Sequence, residues 1–298
     1  MPNTLILLLF LGALWGSSFF AIKISVQDLD PLTVASGRLI IASIILYIYF
    51  KFKKLVFKPT FRIIILIIII GFLGNFIPFF LISWSETIIQ SNTAGLLMSV
   101  APIFVVILAH FLTKDDKFSF EKIFAIIIGS IGVLFIFGNE SIADLYKIKY
   151  SDFIPKLAVI LAVLGYAISS VIAYNLKKID IITLTTYVTI AAALISLPFM
   201  VFVEFNNISN FNIRSIFALI YLGVFPTALA FLIRFHLILK AGPTYLSYVS
   251  YIIPGFAIFW GYIFLGEKIH YNDLIGLFFI FIGIYLTQKN FNERNNSQ

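Results

Sequence analysis

The chain has 298 residues, of which 61% are hydrophobic and only 12% charged, and its mean hydropathy is +1.04. A soluble domain carries roughly 25% charged residues, so a water-facing globular surface is excluded and an all-α integral membrane protein is expected. The net charge of +7 would suit nucleic acid in a soluble protein, but the basic residues lie at the ends of apolar runs, so nucleic acid is not an expected partner; with no cysteine, disulfides and thiolate metal sites are excluded.

Ten apolar segments, each about as long as a bilayer crossing needs, follow one another at 4–24, 32–50, 62–84, 91–112, 122–138, 153–174, 183–203, 214–237, 244–265 and 273–288. The first begins without a basic residue in Met1–Asn3, so it reads as a span rather than a signal peptide. Asp30-Pro31, Lys58-Pro59, Asp115-Asp116 and Gly242-Pro243 punctuate the series with helix-stop and turn chemistry. With the N-terminus in the cytoplasm, fourteen Lys and Arg fall on inside connections and the tail, and six on outside ones. Arg38 lies within a span and is counted on neither side. This bias places both termini inside and requires an even number of spans. The Ile-, Lys- and Asn-rich usage points to a bacterial inner membrane.

The connection from Asn139 to Asp152 divides the chain nearly in half. An offset of 152 carries Gly71 onto Gly223, Phe79 onto Phe231 and Pro102 onto Pro254, and an offset of 151 carries Trp15 onto Tyr166, Ser18 onto Ser169, Ala125 onto Gly276 and Gly132 onto Gly283. Five spans per unit is odd, so the second unit enters from the opposite face. The expected architecture is ten transmembrane helices as two inverted five-helix repeats, a design of secondary transporters. The repeats are 1–140 and 151–289, followed by a cytoplasmic tail at 290–298.

Particular residues carry a family likeness. The first half has Leu14-Trp15-Gly16-Ser17-Ser18-Phe19, Arg38, Ser83-Trp84-Ser85-Glu86 and Ala101-Pro102-Ile103-Phe104. The second has Phe225-Pro226-Thr227-Ala228-Leu229-Ala230, Ala241-Gly242, Ile253-Pro254 and Phe264-Leu265-Gly266-Glu267-Lys268. Over essentially its whole length the chain resembles the EamA-like transporters of the drug/metabolite transporter superfamily. The first half departs from the pattern, with Thr113-Lys114-Asp115 where the second has Leu265-Gly266-Glu267. The resemblance implies ten helices, inverted repeats and movement of small metabolites, often outward.

Polar groups at membrane depth are costly and point to function. Trp15, Ser17, Ser18, Asn75, Tyr166, Ser169, Thr227 and Tyr251 lie near mid-span, with Ser170 and Ser250 beside them. A lone Ser or Thr can satisfy a carbonyl of its own helix, so packing is the plain alternative for each. An Asn amide needs partners that its own helix cannot fully supply. Arg38, about 10 Å inward from Pro31 at 1.5 Å per residue, either snorkels or neutralises an anionic substrate group. Glu86 reads as a solvated helix end, with a proton carrier as the alternative, and His110, Arg234 and His236 as headgroup contacts. Pro102 and Pro254 are candidate bends around a cavity, as are Pro78 and Pro226. The pairs Gly12/Gly16, Ala125/Gly129 and Ala257/Gly261 are explained by close helix packing.

Walker A, His-Glu-x-x-His, Gly-x-Ser-x-Gly and metal-ligand clusters are all missing from the sequence, so an enzyme is not expected, nor a cofactor. The reading is a secondary transporter, an exporter, moving small metabolites such as amino acids by alternating access. Its partners are a small-molecule substrate, the lipid bilayer and a second copy of the chain as a homodimer. The alternatives are an exchanger or importer of a larger metabolite such as a nucleotide conjugate, and a membrane-embedded enzyme or scaffold.

Overall fold

The computed structural model describes residues 2–89, 91–146, 150–206, 212–265, 271, 274–283 and 285, with side chains described except at 2–3, 92, 136–146, 150–152, 204–206, 257–258 and 261–265. Gly266, Glu267, Lys268, residues 147–149 of the central connection and the tail at 290–298 lie outside the described residues, as do the side chains of Ala257 and Gly261.

Every regular element among the described residues is helical: α1 (Pro2–Ser25), α2 (Pro31–Phe52), α3 (Phe61–Gly71), α4 (Ile77–Ile88), α5 (Ser91–Met98), α6 (Ala101–Leu112), α7 (Phe120–Tyr146), α8 (Tyr150–Tyr174), α9 (Ile181–Asn206), α10 (Ile213–Gly223), α11 (Ala230–Ala241), α12 (Pro243–Ser247), α13 (Val249–Leu265) and α14 (Leu274–Gly283). Seven helical stretches are long and apolar enough to cross a membrane, and α14 is a shorter apolar helix. The chain is a membrane protein.

Local chemistry explains the starts and stops. Asp30 caps α2, accepting from Leu32 N at 2.8 Å, with Pro31 in the first turn, where its missing N–H costs nothing. Asn212 caps α10 through Arg214 N at 3.0 Å. Gly242, at φ 95°, ends α11 in a conformation that side chains disfavour, and Pro243 restarts the chain as α12.

Two spans are interrupted by π-helical segments. Phe72–Phe76 joins α3 to α4, and Val224–Leu229 joins α10 to α11. Each follows a glycine, Gly71 or Gly223, the pair related by the offset of 152. A proline has no N–H to give to the carbonyl four residues before it. Pro78 therefore frees the Gly74 carbonyl and Pro226 frees the Leu222 carbonyl, which is taken by Thr227 Oγ1 at 2.7 Å.

The packing is reciprocal between the halves. α1 packs on α10, α11 and α13, whereas α8 packs on α3, α4 and α6. α2 and α9 make the most extensive helix pair. α2 also meets α10 and the second π segment, while α9 meets α3 and the first. The glycines show the same exchange: a Cβ on Gly71 would lie 2.8 Å from Val188 O of α9, and one on Gly223 would lie 2.6 Å from Ile41 Cβ of α2. α7 and α14 meet through Gly132 against Gly276 and Gly283 against Ala125, with the added Cβ atoms 2.6 and 3.0 Å from the facing carbonyls. The first helix of each half is thus buried in the other half.

Candidate functional site

One cavity lies where α1, α2, α4 to α6, α8 and α11 to α13 converge. It encloses about 810 Å³ of space between atoms, its mouth included, and its walls include Trp15, Ser18, Phe19, Arg38, Phe79, Tyr166, Ser170, Arg234, Ser247 and Ser250. Small-molecule sites are mostly apolar, with a few placed polar groups.

Two buried arginines dominate the site's electrostatics. Arg38 on α2 is 2% exposed. Its Nε donates to Thr227 Oγ1 at 2.9 Å, and its guanidinium carbon sits 3.7 Å from the centroid of Phe79, a stacking that fixes its plane. Arg234 on α11 is 1% exposed. Its Nη1 donates to Gly74 O at 3.1 Å and Asn75 Oδ1 at 2.9 Å, and its Nη2 to Ser169 Oγ at 2.9 Å. Gly74 O is the carbonyl that Pro78 leaves free. Each π segment therefore supplies an acceptor to the arginine of the opposite half. π segments break the regular ladder and often occur at functional sites.

The sequence candidates fall into two groups. Trp15, Ser18, Arg38 and Tyr166 line the cavity. Ser17, Asn75, Ser169, Thr227 and Tyr251 do not line it. Ser17 bonds Leu14 O at 2.8 Å and Tyr221 OH at 2.6 Å. Asn75 and Ser169 hold Arg234, and Thr227 holds Arg38. Tyr251 turns to α7, donating to Ile126 O at 3.2 Å and pairing with Ser130 Oγ at 3.1 Å. The indole of Trp15 donates to Pro226 O at 3.1 Å, so a ring on the wall is anchored to a π segment. Ser18 and Ser169 each bond the carbonyl three residues back, Trp15 O at 2.6 Å and Tyr166 O at 2.9 Å. Pro102 stands in the first turn of α6, whereas Pro254 lies inside α13.

Two placements correct the sequence reading. Arg234 is not a headgroup contact but a fully buried wall residue. Its place near the end of the 214–237 segment pointed to the interface, yet the freed Gly74 carbonyl and Asn75 give it partners inside. Removing it from the inside tally leaves thirteen basic residues there. Glu86 is not solvated: it is 0% exposed, with Oε2 accepting from Ser91 Oγ at 3.0 Å and Oε1 without a hydrogen-bond partner among the described residues. Lys23 Nζ reaches its backbone carbonyl at 2.6 Å. Ser91 of α5 and Lys23 of α1 thus meet at the end of α4, which one-dimensional hydropathy does not register.

At the end of the bundle away from Glu86, the α6–α7 connection ties the halves together. Asp116 pairs with Lys122 and accepts from Thr244 N at 3.0 Å. Asp115 pairs with Lys177 at 2.6 Å, and Asn175 Nδ2 donates to Leu112 O at 3.2 Å. The Lys177 hydrogen bond and charge hold the Asp115 carboxyl below its ordinary value. Burial pulls the Lys177 ammonium down, but Asp115 and Tyr174 carry it above its ordinary value.

Comparison with known proteins is consistent along the chain. The family model described as the EamA-like transporter family matches residues 3–138 and 154–288. The uncharacterized transporter YoaV of Bacillus subtilis is 25% identical over 288 residues, covering 94% of this chain and 95% of that one. Protein PagO of Salmonella typhimurium is 27% identical, covering 95% and 91%. The S-adenosylmethionine/S-adenosylhomocysteine transporter of Chlamydia muridarum is 23% identical, covering 94% and 90%. A solved crystal structure superposes with a TM-score of 0.80 over 98% of this chain and 99% of its own at 15% identity, a likeness of fold alone.

Proposed function

Because the chain belongs to the EamA-like transporter family, we propose that it is a secondary transporter that moves a small metabolite by alternating access, with export as its direction. The observation that carries this reading is the central cavity, walled by helices of both halves and stapled across them by Arg38 and Arg234. The ten spans act as two inverted repeats, 1–140 and 151–289, with both termini cytoplasmic in a bacterial inner membrane. Reciprocal packing of α1 and α8 supports this, since exchanging the shapes of two interlocked halves would open the cavity first to one face and then to the other. The chain works as a homodimer in this reading, to be checked by its mass in detergent.

The test is flux into proteoliposomes with a panel of labelled metabolites, amino acids among them. It is paired with single cysteines at Trp15 and Tyr166 in a chain that has none of its own. A small water-soluble thiol reagent should label both positions, and a transported substrate should protect them. No flux for any solute would overturn the transporter reading. Flux without labelling at either position would move the pathway elsewhere.

A second reading, exchange or import of a nucleotide conjugate, gains support from the additional buried arginine and from the name of the Chlamydia relative. S-adenosylmethionine in the same panel tests it.

A further inference from the structure

The two arginines are used differently. Arg234 is engaged through both Nη atoms with three neutral acceptors. Arg38 spends one hydrogen bond, from Nε to Thr227, and its two Nη groups make none among the described residues. They belong to a side chain that is 2% exposed and forms part of the cavity wall. Phe79 stacks on its plane and Thr227 holds its Nε, so the fork is oriented before any ligand arrives. A buried guanidinium with both terminal amino groups open is a ready bidentate partner for a carboxylate.

The wall has a second property. Its described residues include two guanidinium groups and neither aspartate nor glutamate. Glu86 acts on Arg38 electrostatically, but it stands off the wall and makes no ion pair with it among the described residues.

We propose, building on the transporter reading above, that the cavity takes a small organic carboxylate that lacks an ammonium group. Its carboxylate sits on the Arg38 Nη pair and its apolar body lies against Trp15 and Tyr166. One open fork matches one two-oxygen face, and Arg234, with three of its five N–H donors already spent on protein acceptors, lends mainly charge. An α-ammonium would enter a low-dielectric space with two like charges and no counter-ion on the wall. Repulsion there outweighs the cation–π attraction that two rings offer. This departs from the amino-acid class expected from the sequence.

Three probes with one phenyl-ethyl body test the charge: 3-phenylpropionate as the anion, L-phenylalanine as the zwitterion and 2-phenylethylamine as the cation. Equilibrium binding to the purified full chain should rank them in that order, with the anion at least about tenfold tighter than the zwitterion. Arg38→Gln should lose anion binding by more than about tenfold at an unchanged melting temperature, and Arg38→Lys should recover part of it. Equal or tighter binding of phenylalanine or phenylethylamine, binding of none of the three, or full anion binding by Arg38→Gln would each overturn the proposal. Transport of S-adenosylmethionine, which carries ammonium and sulfonium groups, would do the same. Flux of zwitterions without 3-phenylpropionate binding would sink the charge assignment and leave the transporter reading intact. Anion binding without flux of any solute would do the reverse.

Discussion

Arg38 and Arg234 share residue type and burial, yet Arg38 spends one of its five N–H donors on the protein and Arg234 three. Arg234 meets a carbonyl that Pro78 has freed, an Asn side chain and a Ser hydroxyl. Arg38 meets one Thr hydroxyl and a phenyl face. The first arrangement satisfies a buried cation by fixed dipoles, and removing it would strand those dipoles. The second leaves hydrogen-bonding capacity unspent beside a cavity. On the proposal above, the ligand-binding charge is distinguished from the structural one by the donors it has left over, not by burial.

Breaking the Arg234 side should have the largest effect on stability. Arg234→Leu leaves Gly74 O, Asn75 and Ser169 without a shared partner in a dry interior. A loss of about 3 kcal/mol or more is expected, read as a lowered melting temperature of the purified protein. Asn75→Ala removes one of the three acceptors and should cost about 1–2 kcal/mol in the same measurement. Arg38→Gln should leave the melting temperature unchanged while weakening anion binding by more than about tenfold. A destabilisation of Arg38→Gln as large as that of Arg234→Leu would erase the distinction between the two sites.

Smaller perturbations sharpen it. Thr227→Val frees both the Leu222 carbonyl and the Arg38 Nε, and should weaken substrate binding by roughly fivefold to tenfold for about 1 kcal/mol. The prolines should also separate. Pro102 opens a helix, where its missing N–H is tolerated, so Pro102→Ala should keep near-normal flux. Pro254 sits inside α13, so Pro254→Ala restores a helical hydrogen bond and should slow flux. Equal effects of the two would show that their matched sequence positions matter more than their helical context.

The smallest effect belongs to the Asp115–Lys177 pair. It is mostly exposed, and Lys177→Ala should cost no more than about 0.5 kcal/mol. The Asp115 carboxyl is held below its ordinary value, so its contribution is present above the unfolded value of about 3.9 and is lost as pH falls through the lower folded value. A melting temperature followed from neutral to acid pH should lose its difference between wild type and Lys177→Ala at the acid end.

Much of this was legible in the sequence because a bilayer writes its demand residue by residue. Each long apolar run had to be a helix, since lipid offers no partner to an open backbone. The offset of 152 linked Gly71 to Gly223, and those glycines precede the two π segments, where only a hydrogen atom fits against α9 and α2. Trp15, Ser18, Arg38 and Tyr166 could be named as polar or amphipathic groups at depth, and they line one cavity. Arg234 could not be placed there by counting from the end of its helix. The available signal was a mismatch elsewhere: Pro78 had to leave a carbonyl unpaired, and Asn75 required a donor and acceptors that its own helix lacked.

What the sequence determined alone is the material: an all-helical membrane chain with its helix breakers and its few deep polar groups. Only the tertiary structure decided the pairings. Thr227 meets Arg38 across 189 positions, and Asn75 meets Arg234 across 159. Glu86 is buried where Ser91 of α5 and Lys23 of α1 meet it. Hydropathy is a property of each residue summed along one helix, whereas satisfying a buried charge depends on which other helices bring their acceptors, and that is set when the two halves interlock.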